Sequence, residues 1–292
     1  MLYKSNILAL VGGGTMPQFS KNKLTLWDDH QGIIISQLRF NTNVIGVKLR
    51  MEHIISILED KIYIFDLNTL QTIDIINTIN NKNCLVAISN NPLKFSMAFP
   101  NKAKGKIQIQ TYLPTKTSKI INAHESNIAY VSVNNEGNVL ATASDKGTLI
   151  RIFNINNGDL ITELRRGTKN VKITCVVFDI GNNYVACSSD VGTIHIFNIE
   201  NAAKLASDEN IEENKDSENE NKNKNKKSSK KKLIKNTRSF AKFKIQDDNS
   251  MVCFGKENYI VIITSEGAYY KATFDPKNGG NCCKIEEHVI NV

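Results

Sequence analysis

The chain has 292 residues, with 37 Lys plus Arg against 29 Asp plus Glu and a formal net charge of +8. That length can build a large core, and the cationic balance points to an anionic partner: phosphate, nucleic acid or a membrane surface. The six cysteines form no Cys-x-x-Cys pair and no Cys/His grouping at zinc-ligand spacing, so no metal site is expected. No apolar run reaches the roughly 18 residues needed to cross a bilayer, and the stretch 7–11 is shorter than a secretory core of about 7–15. The expectation is a cytosolic protein with reduced, buried thiols, and not an integral membrane protein, a zinc finger or a disulfide-stapled miniprotein.

From the N-terminus onward, helical periodicity is almost absent, and short β-rich runs alternate with Asn, Gly and Asp. The first run ends in Gly12-Gly13-Gly14, which lacks the GxxxxGK[ST] pattern and a following helix, and is expected to be a turn between strands. The next ends in Leu-Trp27-Asp28, with Trp27 expected in the core. Similar strands follow as Ile-Tyr-Ile-Phe65-Asp66, residues 107–110, Ile-Arg151-Ile-Phe153-Asn154 and Ile-His195-Ile-Phe197-Asn198, with a later one at 269–275. Trp27 and Phe65 are 38 residues apart, and Phe153 and Phe197 are 44 apart. A period of about 40–45 residues with four short strands each is the pattern of WD-type propeller blades, which bury their faces only by packing radially on one another.

Two consecutive repeats align closely. Each carries an Asn-rich turn, a strand of small residues, Ser-Asp-x-Gly-Thr (144–148 and 189–193) and then the Ile-Phe-Asn strand. Gly147 and Gly192 supply the backbone freedom for the turns between strands. Residues 200–236 interrupt the period with a low-complexity Asn/Lys/Glu/Ser tract. Taking these 37 residues out restores a spacing of 40 between Phe197 and Phe274. The tract is therefore expected to be a disordered loop inside a blade of one propeller domain spanning 1–292, because it cannot bury enough apolar surface to order itself. About six blades are expected, the first incomplete at its N-terminal side.

The segments NILALVGGGTMPQFSKNKLTLWDD (6–29), AHES (123–126), LATASDKGTLIRIFN (140–154), LRRGT (164–168) and SSDVGTIHIF (188–197) together resemble the PROPPIN family, β-propellers that bind polyphosphoinositides and act in autophagy. The similarity covers nearly the whole chain outside 200–236 and is closest to the branch with Leu-Arg-Arg-Gly. The resemblance implies a seven-bladed propeller in which Met1 falls inside the second blade.

Arg165-Arg166-Gly167 is the leading constellation. Adjacent residues of an extended segment point to opposite sides, so each arginine would serve a different pocket. Guanidinium forks suit phosphate because they engage two oxygens at once. Glu163 is the one acid close in sequence. By itself such a pair reads equally as a solvated turn. Upstream lie His124, Ser144, Thr148 and Arg151. Downstream lie Ser189, Thr193 and His195, with His195 equivalent to Arg151 when the two repeats are aligned. Ser and Thr hydroxyls donate to phosphate oxygens, and a histidine adds a donor that gains charge below about pH 6.5. The resemblance implies two headgroup sites: His124, Ser144, Thr148, Arg151 and Arg165 in one, and Arg166, Ser189, Thr193 and His195 in the other. It also implies preference for phosphatidylinositol 3-phosphate and the 3,5-bisphosphate. Other readings stay open: His124 as a hydrogen bond within its blade, and Ser144 and Ser189 as turn formers.

In the tract, residues 208–220 hold seven acids and one Lys, and 226–235 hold six Lys and no acid. The resemblance makes this loop a membrane-contact element, with Lys230, Lys231, Lys232, Leu233 and Ile234 as its contact residues. A lysine near an anionic leaflet contributes about 1 kcal/mol. No paired carboxylates or activated nucleophile can be seen, so no enzyme and no cofactor is expected. The expected protein is a cytoplasmic, monomeric, peripheral membrane protein with autophagy proteins as partners, recruited to autophagic, endosomal or vacuolar membranes. Its rivals are a WD-repeat scaffold whose arginines hold an acidic peptide, and RNA binding through the lysine tract. The second is weak because no aromatics interleave with those lysines.

Overall fold

The computed structural model describes residues 5–200, 236–246 and 249–289. Apart from a helical position at Glu200, the last residue described before the tract, its regular structure is strand, arranged as six sheets. The first sheet is β1 (Ile7–Val11), β2 (Lys23–Asp28) and β3 (Ile33–Arg39). The second is β4 (Val44–Arg50), β5 (His53–Leu58), β6 (Lys61–Asp66) and β7 (Thr72–Asn77). The third is β8 (Ala87–Ile88), β9 (Ser96–Pro100), β10 (Lys106–Thr111) and β11 (Thr117–Asn122).

The fourth sheet is β12 (Ile128–Val133), β13 (Val139–Ser144), β14 (Leu149–Asn154) and β15 (Leu160–Arg165). The fifth begins with β16 (Ile173–Phe178), β17 (Tyr184–Ser189) and β18 (Thr193–Asn198). After β18 the chain returns as β19 (Asn236–Arg238), which lies parallel to β15 at the outer edge of the fourth sheet. It then crosses back as β20 (Ala241–Lys244), antiparallel to β18. The sixth sheet is β21 (Ser250–Phe254), β22 (Tyr259–Thr264), β23 (Ala268–Thr273) and β25 (Cys283–Val289). Between its last two strands, β24 (Gly280–Asn281) reaches back to lie parallel to β20 in the fifth sheet.

The Asp or Asn that closes β2, β6, β14 and β18 has a local cause. Its side chain accepts the amide two residues on: Asp28 from His30 at 2.9 Å, Asp66 from Asn68 at 2.9 Å, Asn154 from Asn156 at 2.8 Å and Asn198 from Glu200 at 3.1 Å. A short polar side chain that mimics a turn ends the strand and reverses the chain. Amide donation, chiefly from Gln31 to Asp28 and from Thr69 to Asp66, holds both carboxyls below the usual aspartate range.

The strands stay in place because both faces of most sheets are covered. Five apolar clusters alternate with the sheets. Leu24, Leu26, Ile54 and Phe65 fill the first interface, and Ile55, Ile64, Phe95 and Phe99 the second. Ile107, Ala123, Leu140 and Phe153 fill the third. Ile150, Leu164, Val185 and Phe197 fill the fourth, and Ile194, Ala241, Ile262 and Tyr270 the fifth. Burying an aliphatic or aromatic side chain of this kind contributes about 1.5–3 kcal/mol. Gly12-Gly13-Gly14 lies between β1 and β2 with no helix after it, and Trp27 is half-buried.

Two expectations change. The thiols are all free, as expected, but only Cys175 and Cys187 are buried, whereas Cys253 and Cys283 are exposed. The first sheet has three strands and the fourth and fifth have five, because β19 and β24 each add to the preceding sheet. The 200–236 tract lies between β18 and β20, which pair with each other. All of it but its two ends, Lys230, Lys231, Lys232, Leu233 and Ile234 included, is outside the described residues.

Candidate anion-binding site

The fourth and fifth sheets meet at the double arginine. In an up-and-down sheet, the end of the outer strand lies at the same edge as the turn between the second and third strands. Arg165, the last residue of β15, is accordingly paired with Leu149 of β14, beside Thr148. Parallel pairing puts Arg238 of β19 opposite Arg165. Among the described residues neither arginine has an ion pair. Two guanidinium-bearing residues side by side on an outer edge repel each other and attract an anion.

Arg166 departs from the reading of a solvated turn. It is only 8% exposed. Its amide donates to Thr148 O at 3.0 Å and its Nε to Gly147 O at 2.9 Å, and its Nη2 donates to Lys169 O. Burial lowers its pKa from the ordinary arginine value. The turn that receives it is built by Gly147, at φ +62°, where a Cβ would lie 2.1 Å from Val171 O. No other residue fits there without moving backbone. The arginine is seated, with its charge still uncompensated by any ion pair among the described residues.

Downstream, His195 lies on β18 between Cys187 of β17 and Lys242 of β20. Its Nδ1 is 3.2 Å from Ser239 Oγ. Burial, then Lys242, then Arg166 lower its pKa to about 4. Ser189 is fully buried, and among the described residues its Oγ has no hydrogen-bond partner. A buried hydroxyl left unpaired costs about 1–3 kcal/mol. Its backbone does form the turn expected of it, with Gly192 N donating to Ser189 O at 3.3 Å. Thr193, two residues before His195 and on the same strand face, pairs with Lys244. The carboxylate of Asp190 acts on Arg166 through space, but its Oδ1 accepts the Lys172 amide at 3.1 Å.

Upstream the arrangement is more self-contained. Arg151 of β14 lies between Thr142 of β13 and Glu163 of β15. Its Nε donates to Glu163 Oε1 at 2.7 Å and its Nη1 to Ala123 O at 2.7 Å. His124 Nε2 is 2.9 Å from Thr142 Oγ1, the bond within the blade that the sequence left open. Burial, then Arg151, lower its pKa to about 4. Ser144 is buried at the turn, where its carbonyl accepts Gly147 N at 2.9 Å. The expectation that these histidines titrate near 6.5 is corrected: burial and cationic neighbours keep both neutral at pH 7.

The structure also brings in Arg238, Ser239 and Lys242, which sequence reading had not assigned. The signal for Lys242 was the alternation 241–245, Ala-Lys-Phe-Lys-Ile, whose apolar members face the core and whose lysines face out. Among the described residues no group of His, Cys, Asp and Glu is placed to hold a metal ion.

Radially stacked antiparallel sheets with a cationic seam at one junction define a β-propeller with an uncompensated positive edge. The PROPPIN family model matches residues 2–291, and autophagy-related protein 18e of Arabidopsis thaliana is 33% identical over 98% of this chain and 74% of its own length. The chain belongs to the PROPPIN family. Autophagy-related protein 18 of Yarrowia lipolytica is 28% identical over 99% of this chain and 85% of its own. The crystal structure of Hsv2 from Kluyveromyces marxianus covers the whole chain at a TM-score of 0.74 and 21% identity, with 84% of that structure matched. KlAtg21, solved in complex with the coiled coil of AgAtg16, matches over the whole chain and 84% of its own at a TM-score of 0.78 and 21% identity. These structural likenesses establish the fold.

Proposed function

We propose that this protein is a non-catalytic, peripheral membrane effector of autophagy that binds phosphatidylinositol 3-phosphate and phosphatidylinositol 3,5-bisphosphate at two sites flanking Arg165-Arg166. The observation that carries the reading is the cationic setting of the downstream site: Lys242 is paired opposite His195, Arg166 acts on the same ring, and none of the three has an ion pair among the described residues. A phosphate there would accept from Arg166 and Lys242 and neutralise their field. Arg165 and Arg238, with Thr148, form the upstream counterpart. Two weak sites on one surface reinforce each other through effective concentration. The lysines 226–235 add attraction to any anionic leaflet, about 1 kcal/mol each, without choosing the headgroup. Autophagy proteins are its partners, as the relatives' names and the Atg21–Atg16 complex suggest.

Liposome flotation tests this. The parent protein should float with vesicles carrying either phosphoinositide, and Arg165→Thr/Arg166→Thr should not, with its circular dichroism retained. Parental flotation by the folded double variant would overturn the lipid reading.

A further inference from the structure

A second cationic feature lies at one edge of the third sheet, beside the start of the fourth. The connection from β7 to β8 and the turn from β9 to β10 enclose a recess of about 560 Å³. Four lysines line it, Lys82, Lys102, Lys104 and Lys106, and no carboxylate does. Lys82, Lys102 and Lys104 are exposed and Lys106 is half-buried. Among the described residues none of the four has an ion pair. Of the acids near this connection, Glu59 and Asp60 line a separate recess with Thr42 and Asn43.

This recess continues into a larger one of about 800 Å³ through shared walls at Asn83, Leu85, Asn127 and Ile128. The character changes there. Asp145 and Lys172 balance each other in charge, and Tyr130, Ile173, Met251 and Ile263 give apolar surface. Met251 and Ile263 are directly paired across β21 and β22, and are 68% and 49% exposed. The result is one trough with a cationic end and an apolar end, formed by the loops that lead into the innermost strands and by the turns between second and third strands.

We propose that this trough seats an acidic linear segment of a partner protein, its carboxylates on the four lysines and a large apolar side chain in the adjoining recess. Both ends of the trough enter the argument. A lipid headgroup or a nucleic-acid backbone would satisfy the lysines and leave Met251 and Ile263 in water, whereas a peptide of mixed character covers both. The trough shares no lining residue with the two sites beside the arginines.

The probe is a fluorescein-labelled peptide of six glutamates followed by Gly-Leu-Leu, titrated against the full chain by anisotropy at about 0.1 M salt, where charges act within about 10 Å. Saturable binding is expected. Lys82→Gln/Lys102→Gln/Lys104→Gln/Lys106→Gln should weaken it about tenfold or more, since four individually modest exposed charges are lost together. Replacing both leucines of the peptide by serine should also weaken it, and phosphoinositide flotation should stay parental. If the quadruple variant fails to melt as the parent does, Lys102→Gln/Lys104→Gln, confined to an exposed turn, gives the reading. Binding indifferent to the lysines, or to the leucines, overturns the proposal. So does full displacement by oligouridylate or by phosphatidylserine vesicles at equal charge, which would mark a general polyanion surface.

Discussion

The fourth and fifth sheets are two copies of one repeat, and they treat their polar residues in opposite ways. Arg151 and His195 occupy the same place in the third strand. Arg151 is spent on Glu163 and Ala123 O, whereas among the described residues His195, beside Lys242, Ser239 and Arg166, has no acid bonded to it. His124 has its threonine partner, and among the described residues Ser189 has none. One blade neutralises itself, while its neighbour is held with cationic and donor groups unmet. A protein that needs to hold an external anion gains by leaving the second arrangement incomplete, at a cost in its own stability.

The largest effect expected from this contrast is an asymmetry between the two arginines. Arg166→Thr should weaken binding to phosphoinositide vesicles by roughly ten- to over a hundredfold, the equivalent of about 1.5–3 kcal/mol for a charged contact. It should also lower the melting temperature, because the side chain tethers the 147 turn to residue 169. Arg165→Thr should cost less in binding and leave melting unchanged, since Arg238 remains beside it. Equal losses from the two changes would erase the contrast.

A middle-sized effect should come from relieving the neutralised blade. Glu163→Gln frees the positive charge of Arg151 for an external phosphate. Vesicle binding should strengthen by about threefold, while stability falls by roughly 1 kcal/mol for a half-buried ion pair. Flotation and urea unfolding read the two separately. A variant that only loses stability would mean Arg151 serves the fold alone.

The smallest effect is in pH dependence. Both histidines have folded pKa values of about 4, below the ordinary 6.5 of the unfolded chain. The unfolded state therefore binds more protons between those values, so stability is full above about pH 6.5 and is lost as pH falls toward about 4. His195→Gln should flatten the slope of urea midpoint against pH in that window. A phosphate bound beside His195 would raise its pKa and reverse part of the trend, and a slope indifferent to phosphoinositide would place the ligand away from it.

Much of this was readable before any coordinates. The Ile-x-Ile-Phe-Asn strands and the Ser-Asp-x-Gly-Thr turns are local, so their spacing announced repeated sheets. Arg165 and Arg166 stood out because no acid but Glu163 adjoins them. Burial of Arg166 did not, because an arginine after a strand reads as solvated until the glycine turn facing it is known. The Arg151–Glu163 pair is a cross-strand contact, visible only once the β14–β15 register is fixed. Arg238 was hidden because β19 belongs to a different sheet from its sequence neighbours, and nothing in a low-complexity approach sets a register.

That excursion of β19 has a mechanical consequence. Blades strung in series are like leaves on a spine, each removable with little harm to the next. Here β19 ties the fifth sheet's chain into the edge of the fourth, and β24 ties the sixth sheet's chain into the edge of the fifth. Strand pairing thus crosses both boundaries, Arg165 with Arg238 at the first, and at the second Gly280 N donates to Phe240 O at 2.9 Å and Cys282 N to Lys242 O at 2.8 Å. The last three leaves are stitched together, and the seam holding Arg165 and Arg166 cannot open without unpicking a strand.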